Sequence, residues 1–229
     1  MLGVTVNAVA ILIGTGIGLL FRKVINKKVE DVIMQAMGIS VLSIGIMDML
    51  SVTGNIKMIL TLILSLTIGG AVGSLLHLQD RIEQFGEFLK TKLSKDENST
   101  VGKAFTSSVL IFCIGAMVVY GSINAGLGDN STLYIKSILD GVIAIITAAT
   151  MGAGVALSAV AVFVLQGVFA LCAGFLNPIM VAHPDVKVML TGIGGVLVMC
   201  IGINLLKLKE MRTGDLIPAL LGCLVMIWI

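Results

Sequence analysis

Charge is scarce in this sequence. Of its 229 residues only 12% are Asp, Glu, Lys or Arg, against roughly 25% in an ordinary soluble domain. Hydrophobic residues make up 57%, more than a soluble fold of this size could hide. The net charge is only +2, and the basic residues flank apolar runs instead of forming one stripe, which argues against a nucleic-acid partner. No basic residue precedes the first apolar run, so the chain does not open as a signal peptide and that run is expected to persist in the mature protein.

Catalytic and metal-binding patterns are missing too. Cys113, Cys172, Cys200 and Cys223 sit inside apolar segments without CxxC spacing or nearby histidines, and read as small buried hydrophobes. His77 and His183 fall at opposite ends of the apolar segments. No Ser/His/Asp set, HExxH, P-loop or GxGxxG occurs in a context that would support catalysis. The expectation is a protein that is not an enzyme and carries no cofactor and no metal.

Apolar runs of about twenty residues are abundant, the length that crosses a hydrocarbon core of roughly 30 Å at about 1.5 Å per residue. They predict an all-α, polytopic membrane bundle with eight spans: Leu2 to Phe21, Val32 to Leu50, Ile56 to Leu78, Phe105 to Ile123, Leu133 to Met151, Gly154 to Phe175, Val186 to Leu206 and Leu216 to Ile229. Basic residues in short loops favour the cytoplasm. In an eight-span chain twelve of the fifteen lie on one side, Lys57, Lys136 and Lys187 being the others. Both termini are therefore expected outside the cytoplasm.

Between spans three and four, Leu78, Ile82, Phe85, Leu89 and Leu93 recur at helical spacing among charged residues, which predicts a cytoplasmic amphipathic helix. The polar stretch after it, Ser94 to Thr100, is expected to be flexible. The segment from Tyr120 to Ser131 is too polar and glycine-rich for a spanning helix; it reads as an outer loop or as a re-entrant lining buried in protein.

The opening Gly3-Val4-Thr5-Val6-Asn7-Ala8-Val9-Ala10 reappears as Gly154-Val155-Ala156-Leu157-Ser158-Ala159-Val160-Ala161. Gly38 to Ile46 is echoed by Gly195 to Ile203, and Thr53-Gly54-Asn55-Ile56 by Thr213-Gly214-Asp215-Leu216. Three echoes in one order point to a duplicated three-helix unit. Five spans separate the copies, so they face opposite ways, the inverted repeat of many secondary transporters. This divides the chain into a first copy over residues 1–78, an amphipathic helix and linker over 79–103, a central hairpin over 104–151 and a second copy over 152–229.

Ionisable groups inside a span are costly in hydrocarbon and are functional candidates by default. Asp140 lies about 10 Å into span five, with Lys136 four residues earlier on the same helix face. That pair reads as an ion or proton site, or as a neutralised structural pair. Asp48, Asn7, Ser158 and Gln166 complete the candidates, and Asn7 and Ser158 occupy equivalent positions of the echo. Two GxxxG pairs, Gly14 with Gly18 and Gly69 with Gly73, allow close helix approach and suggest a homo-oligomer.

The combination of Gly3-Val4-Thr5-Val6-Asn7, Tyr120-Gly121-Ser122-Ile123, Gly126-Leu127-Gly128-Asp129, Lys136-Ser137, Asp140-Gly141, Gly152-Ala153-Gly154-Val155 and Gln166-Gly167 resembles the bacterial inner-membrane family of domain of unknown function 554. The resemblance runs nearly the whole chain. It implies a multi-spanning protein of the bacterial plasma membrane and adds weight to Asn7, Asp140 and Gln166. The family pattern places an acidic residue after the glycine corresponding to Gly73, where this chain has Ser74. The expected activity is movement of a small solute or ion through a site between spans one, five and six. The competing expectation is a structural or regulatory membrane protein acting through its amphipathic helix.

Overall fold

The computed structural model describes residues 1–22, 27–93, 100–113, 116–175, 178 and 182–228, and every regular element among them is helical. The helices are α1 (Leu2–Leu20), α2 (Lys27–Leu50), α3 (Ile56–Leu75), α4 (Leu78–Leu93), α5 (Thr100–Cys113), α6 (Ala116–Gly126), α7 (Ser131–Met151), α8 (Ser158–Gly174) and α9 (Pro184–Leu205). A short 3-10 turn, Ala153–Leu157, leads into α8, and a long 3-10 helix, Thr213–Ile227, closes the chain. The local signals are the expected ones. Asn55 caps α3 by accepting a hydrogen bond from the Lys57 amide at 2.9 Å. Pro184 opens α9 where no amide is needed. Gly152, at φ +96°, takes the left-handed turn that ends α7.

Two compact units result: residues Met1–Val32 with Ile82–Gly174, and residues Ile33–Arg81 with Phe175–Ile229. In the first, glycines set the register. Gly3 abuts Asn130 and Leu133, Gly14 abuts Gly141, and Gly18 abuts Ile145, so the numbers rise together and α1 runs parallel to α7. Val4 shares an apolar cluster with Ala170, and Ile11 one with Val162, so α8 runs antiparallel to both. In the second unit Gly38 meets Leu206, Gly45 meets Met199 and Gly202 meets Leu42, an antiparallel α2 and α9. Gly69 meets Ala219 and Gly73 meets Asp215, so the 3-10 helix runs antiparallel to α3.

Six of these helical segments are long and apolar enough to cross a membrane: α1, α2, α3, α7, the 3-10 turn with α8, and α9. Helices α5 and α6, set 64° apart on either side of residues that lie outside the described ones, count as a seventh candidate only when read as one broken span, the other geometry being a re-entrant loop. Tyr120, Ser122 and Asn124 lie on α6 and are buried, so the stretch from Tyr120 is helical as far as Gly126 and only residues 127–130 form a turn before α7. The last expected span, at 15 residues, would be short as an α-helix. The 3-10 geometry rises about 2 Å per residue, so it reaches roughly 30 Å. The bilayer-facing surfaces are apolar: on α3, Leu60, Ile63, Leu64 and Ile68 are each more than half exposed.

The paired glycines Gly14, Gly18, Gly69 and Gly73 are buried and covered by the chain's own backbone at Gly141, Ile145, Ala219 and Asp215. These two faces are therefore used within the chain, which removes them as surfaces for a second copy. Helix α4 forms where the amphipathic pattern placed it; residues 94–99 of the polar stretch behind it lie outside the described residues.

Candidate functional site

The polar groups of the first unit converge on one layer. Lys136 and Asp140, one turn apart on α7, form an ion pair at 2.8 Å with only 7% and 4% of their side chains exposed. Asn7 of α1 donates through Nδ2 to the Asp140 carboxylate at 2.9 Å and to Oε1 of Gln166, on α8, at 3.2 Å. Asn7 and Gln166 are fully buried. Apolar residues enclose this layer along all three helices: Val4, Leu133 and Ala170 on one side, Ile11, Ala144 and Val162 on the other. Cys113, at the end of α5, packs against the cluster formed by Ile11, Ala144 and Val162.

A charged group at the centre of a membrane helix costs about 3 kcal/mol on insertion scales, so Lys136 and Asp140 are tolerable only together. Their bond neutralises both charges, and Asn7 adds a donor to the carboxylate. Two atoms of the same layer remain without a hydrogen-bond partner, Asn7 Oδ1 and Gln166 Nε2. Amide orientation is not arbitrary here. Turning Asn7 over would aim its carbonyl oxygen at the Asp140 carboxylate, acceptor against acceptor. Asp140 thus fixes Asn7, and Asn7 fixes Gln166. One open acceptor and one open NH2 group follow from the chemistry of the layer.

Two expected members lie elsewhere. Ser158 is buried but donates to the Val155 carbonyl at 2.6 Å. The reason is register: α1 and α8 are antiparallel, so Asn7 faces Gln166, and Ser158 falls two turns away at the level of Thr15. Thr15 likewise bonds its own helix, at the Ile11 carbonyl, 2.8 Å. Asp48 belongs to the second unit, half-buried on α2 where Gly195 of α9 packs against it. Sequence reasoning missed Ser108 on α5 and Ser122 on α6, whose buried hydroxyls have no partner. Ser122 stands in the polar, glycine-rich stretch whose sequence allows either a loop or a re-entrant lining, and its helical spacing with Gly126 is the available signal.

A second polar cluster, unforeseen in sequence, sits at helix ends in the other unit. Arg212 bonds Asp215 through Nε at 2.7 Å and Asp80 through Nη2 at 2.8 Å. Asp215 accepts the Gln79 amide at 2.8 Å, capping the start of α4, and Gln79 Oε1 accepts the Gly214 amide at 2.8 Å. The hydrogen bond from Arg212 holds the Asp80 carboxyl below its ordinary range, and Asp215 and then Asp80 raise Arg212. Among the described residues no group of three or more His, Cys, Asp or Glu is arranged to hold a metal.

A surface groove is lined by Asn204, Lys207, Lys209 and Glu210, and two others are apolar. One of about 500 Å³ runs between α1 and α7, lined by Val6, Ala10, Ile13, Tyr134 and Ile138 among others, and none of its lining residues belongs to the buried layer.

Long apolar helices, lipid-facing surfaces and a charge pair neutralised at mid-helix define a polytopic helical membrane protein. Within that class the chain belongs to the family described as Protein of unknown function (DUF554), whose pattern matches residues 2–228. It is 33% identical to the Uncharacterized membrane protein YdfK of Bacillus subtilis (strain 168) over 222 residues, 96% of this chain and 93% of that one. It is 23% identical to the Uncharacterized protein YqgA of Escherichia coli (strain K12), over 96% of this chain and 94% of the relative. No solved structure matches the chain.

Proposed function

We propose that this membrane protein is a transporter or channel for a small solute or ion, with its site at the layer of Asn7, Lys136, Asp140 and Gln166. The observation that carries the reading is the incomplete saturation of a deeply buried charged layer: Asn7 Oδ1 and Gln166 Nε2 are left open beside a neutralised ion pair. A layer serving packing alone would be expected to close its hydrogen bonds, since an unsatisfied buried polar group costs about 1–3 kcal/mol.

An inverted repeat is part of this proposal. Each pair of echoed elements packs antiparallel within one unit, α1 with α8, α2 with α9, and α3 with the 3-10 helix, the arrangement that opposite-facing copies would adopt. Read as one broken span, the α5–α6 pair is of the discontinuous kind that transport sites use. The bacterial relatives and the segregated basic residues support a plasma-membrane location with both termini outside.

The second reading, a structural or regulatory membrane protein without enzymatic activity, draws on the closure of Asp140 by Lys136 and on the tether between Arg212 and the start of α4. Flux into proteoliposomes separates the two. Asp140→Asn should abolish the flux seen with the native protein; native flux equal to that of empty liposomes would leave the structural reading standing.

A further inference from the structure

We infer that the solute recognised at the buried layer is a small uncharged molecule bearing both a hydrogen-bond donor and an acceptor, of the urea or polyol type, and not a bare ion. This rests on the transport reading above and names its substrate class. The layer is electrically complete as it stands. Lys136 and Asp140 cancel at 2.8 Å, and Asn7 and Gln166 are neutral. A cation added to it would leave an uncompensated positive charge among Ile11, Ala144 and Val162, and an anion would leave a negative one. A neutral solute changes nothing in that balance.

The open atoms state what such a molecule must offer. Asn7 Oδ1 is an acceptor and calls for a donor; Gln166 Nε2 is a donor and calls for an acceptor. Both side chains are fully buried, and the Asp140 carboxylate locks their orientation through Asn7 Nδ2. The pattern is thus an amide-like or hydroxyl-like complement held rigidly by an ion pair that does not itself bind the solute. Lys136 and Asp140 act as positioning residues in this assignment, and Asn7 and Gln166 as the groups that touch solute.

The test is stopped-flow light scattering on proteoliposomes containing the full chain, with urea, glycerol and erythritol as neutral probes, and potassium and chloride flux measured in parallel. The inference expects permeation of at least one neutral probe above empty liposomes, no ion flux, and loss of the neutral flux in both Gln166→Leu and Gln166→Glu. Gly16→Ala, placed where a methyl group meets open space, should keep the native rate and elution profile. Potassium or chloride flux dependent on Asp140, without neutral permeation, would overturn the substrate class and leave transport standing. Absence of flux for every probe would overturn both. Neutral flux unchanged in a folded Gln166→Leu protein would remove the layer from recognition.

Discussion

The two units solve the problem of polar groups in a membrane in opposite ways. The first buries an ion pair at mid-helix and surrounds it with amides, two of whose atoms stay open. The second, among its described ion pairs, keeps charge at helix ends, where Arg212, Asp80 and Asp215 tie the start of α4 to the start of the 3-10 helix. Its spans, like those of the first unit, meet through glycines, here Gly38, Gly45, Gly195 and Gly202 between α2 and α9 and Gly69 and Gly73 under the 3-10 helix, but with no buried ion pair described among them. Backbone contact requires little side-chain chemistry and fixes geometry closely. The contrast teaches that chemistry is concentrated in one unit and that the other reads as framework.

If that contrast is right, the largest loss should come from breaking the buried pair on one side only. Asp140→Leu strands the Lys136 ammonium, and Lys136→Met strands the carboxylate; each should cost about 3–5 kcal/mol, much of it recovered in the double variant. Unfolding in detergent, compared across the three proteins, measures this. A smaller loss, about 1–3 kcal/mol, is expected from Gly73→Ala, because the new methyl group would collide with the Asp215 carbonyl. Gly54→Ala, in open space, should shift stability by less than about 0.5 kcal/mol. Thermal melts of the two in the same detergent would blur the framework reading if they were equal.

The exposed Asp80–Arg212 link should matter least. Arg212 holds the Asp80 carboxyl below its ordinary range, so its contribution is full above the unfolded value, near 3.9. It is lost only as pH falls through the lower folded value. Native protein should therefore be slightly more stable than Asp80→Asn at neutral pH and the two should converge under strong acid; an offset that persists in strong acid would assign it to something other than the carboxylate.

The pair Lys136 and Asp140 was legible because an i, i+4 spacing is local, and Asn7 and Gln166 were legible as polar interruptions of apolar runs. A common site between spans one, five and six was expected from them, but which atoms pair was not, since the bonds join residues 133 and 159 positions apart and depend on where α1 crosses α8. The same register displaced Ser158, which equivalence in the echo had suggested beside Asn7. The bend between α5 and α6 and the 3-10 winding of the last span escaped for another reason. The last span lies close against α3, Gly69 on Ala219 and Gly73 on Asp215, and apolar composition encodes neither that contact nor a change of helical winding.

The most direct test of the central claim is whether the buried layer ever meets water. In a chain whose four native cysteines are replaced by alanine, Gln166→Cys should be modified by a membrane-impermeant thiosulfonate in native vesicles from at least one side. Labelling that occurs only after denaturation would contradict a transport site and leave a sealed structural core.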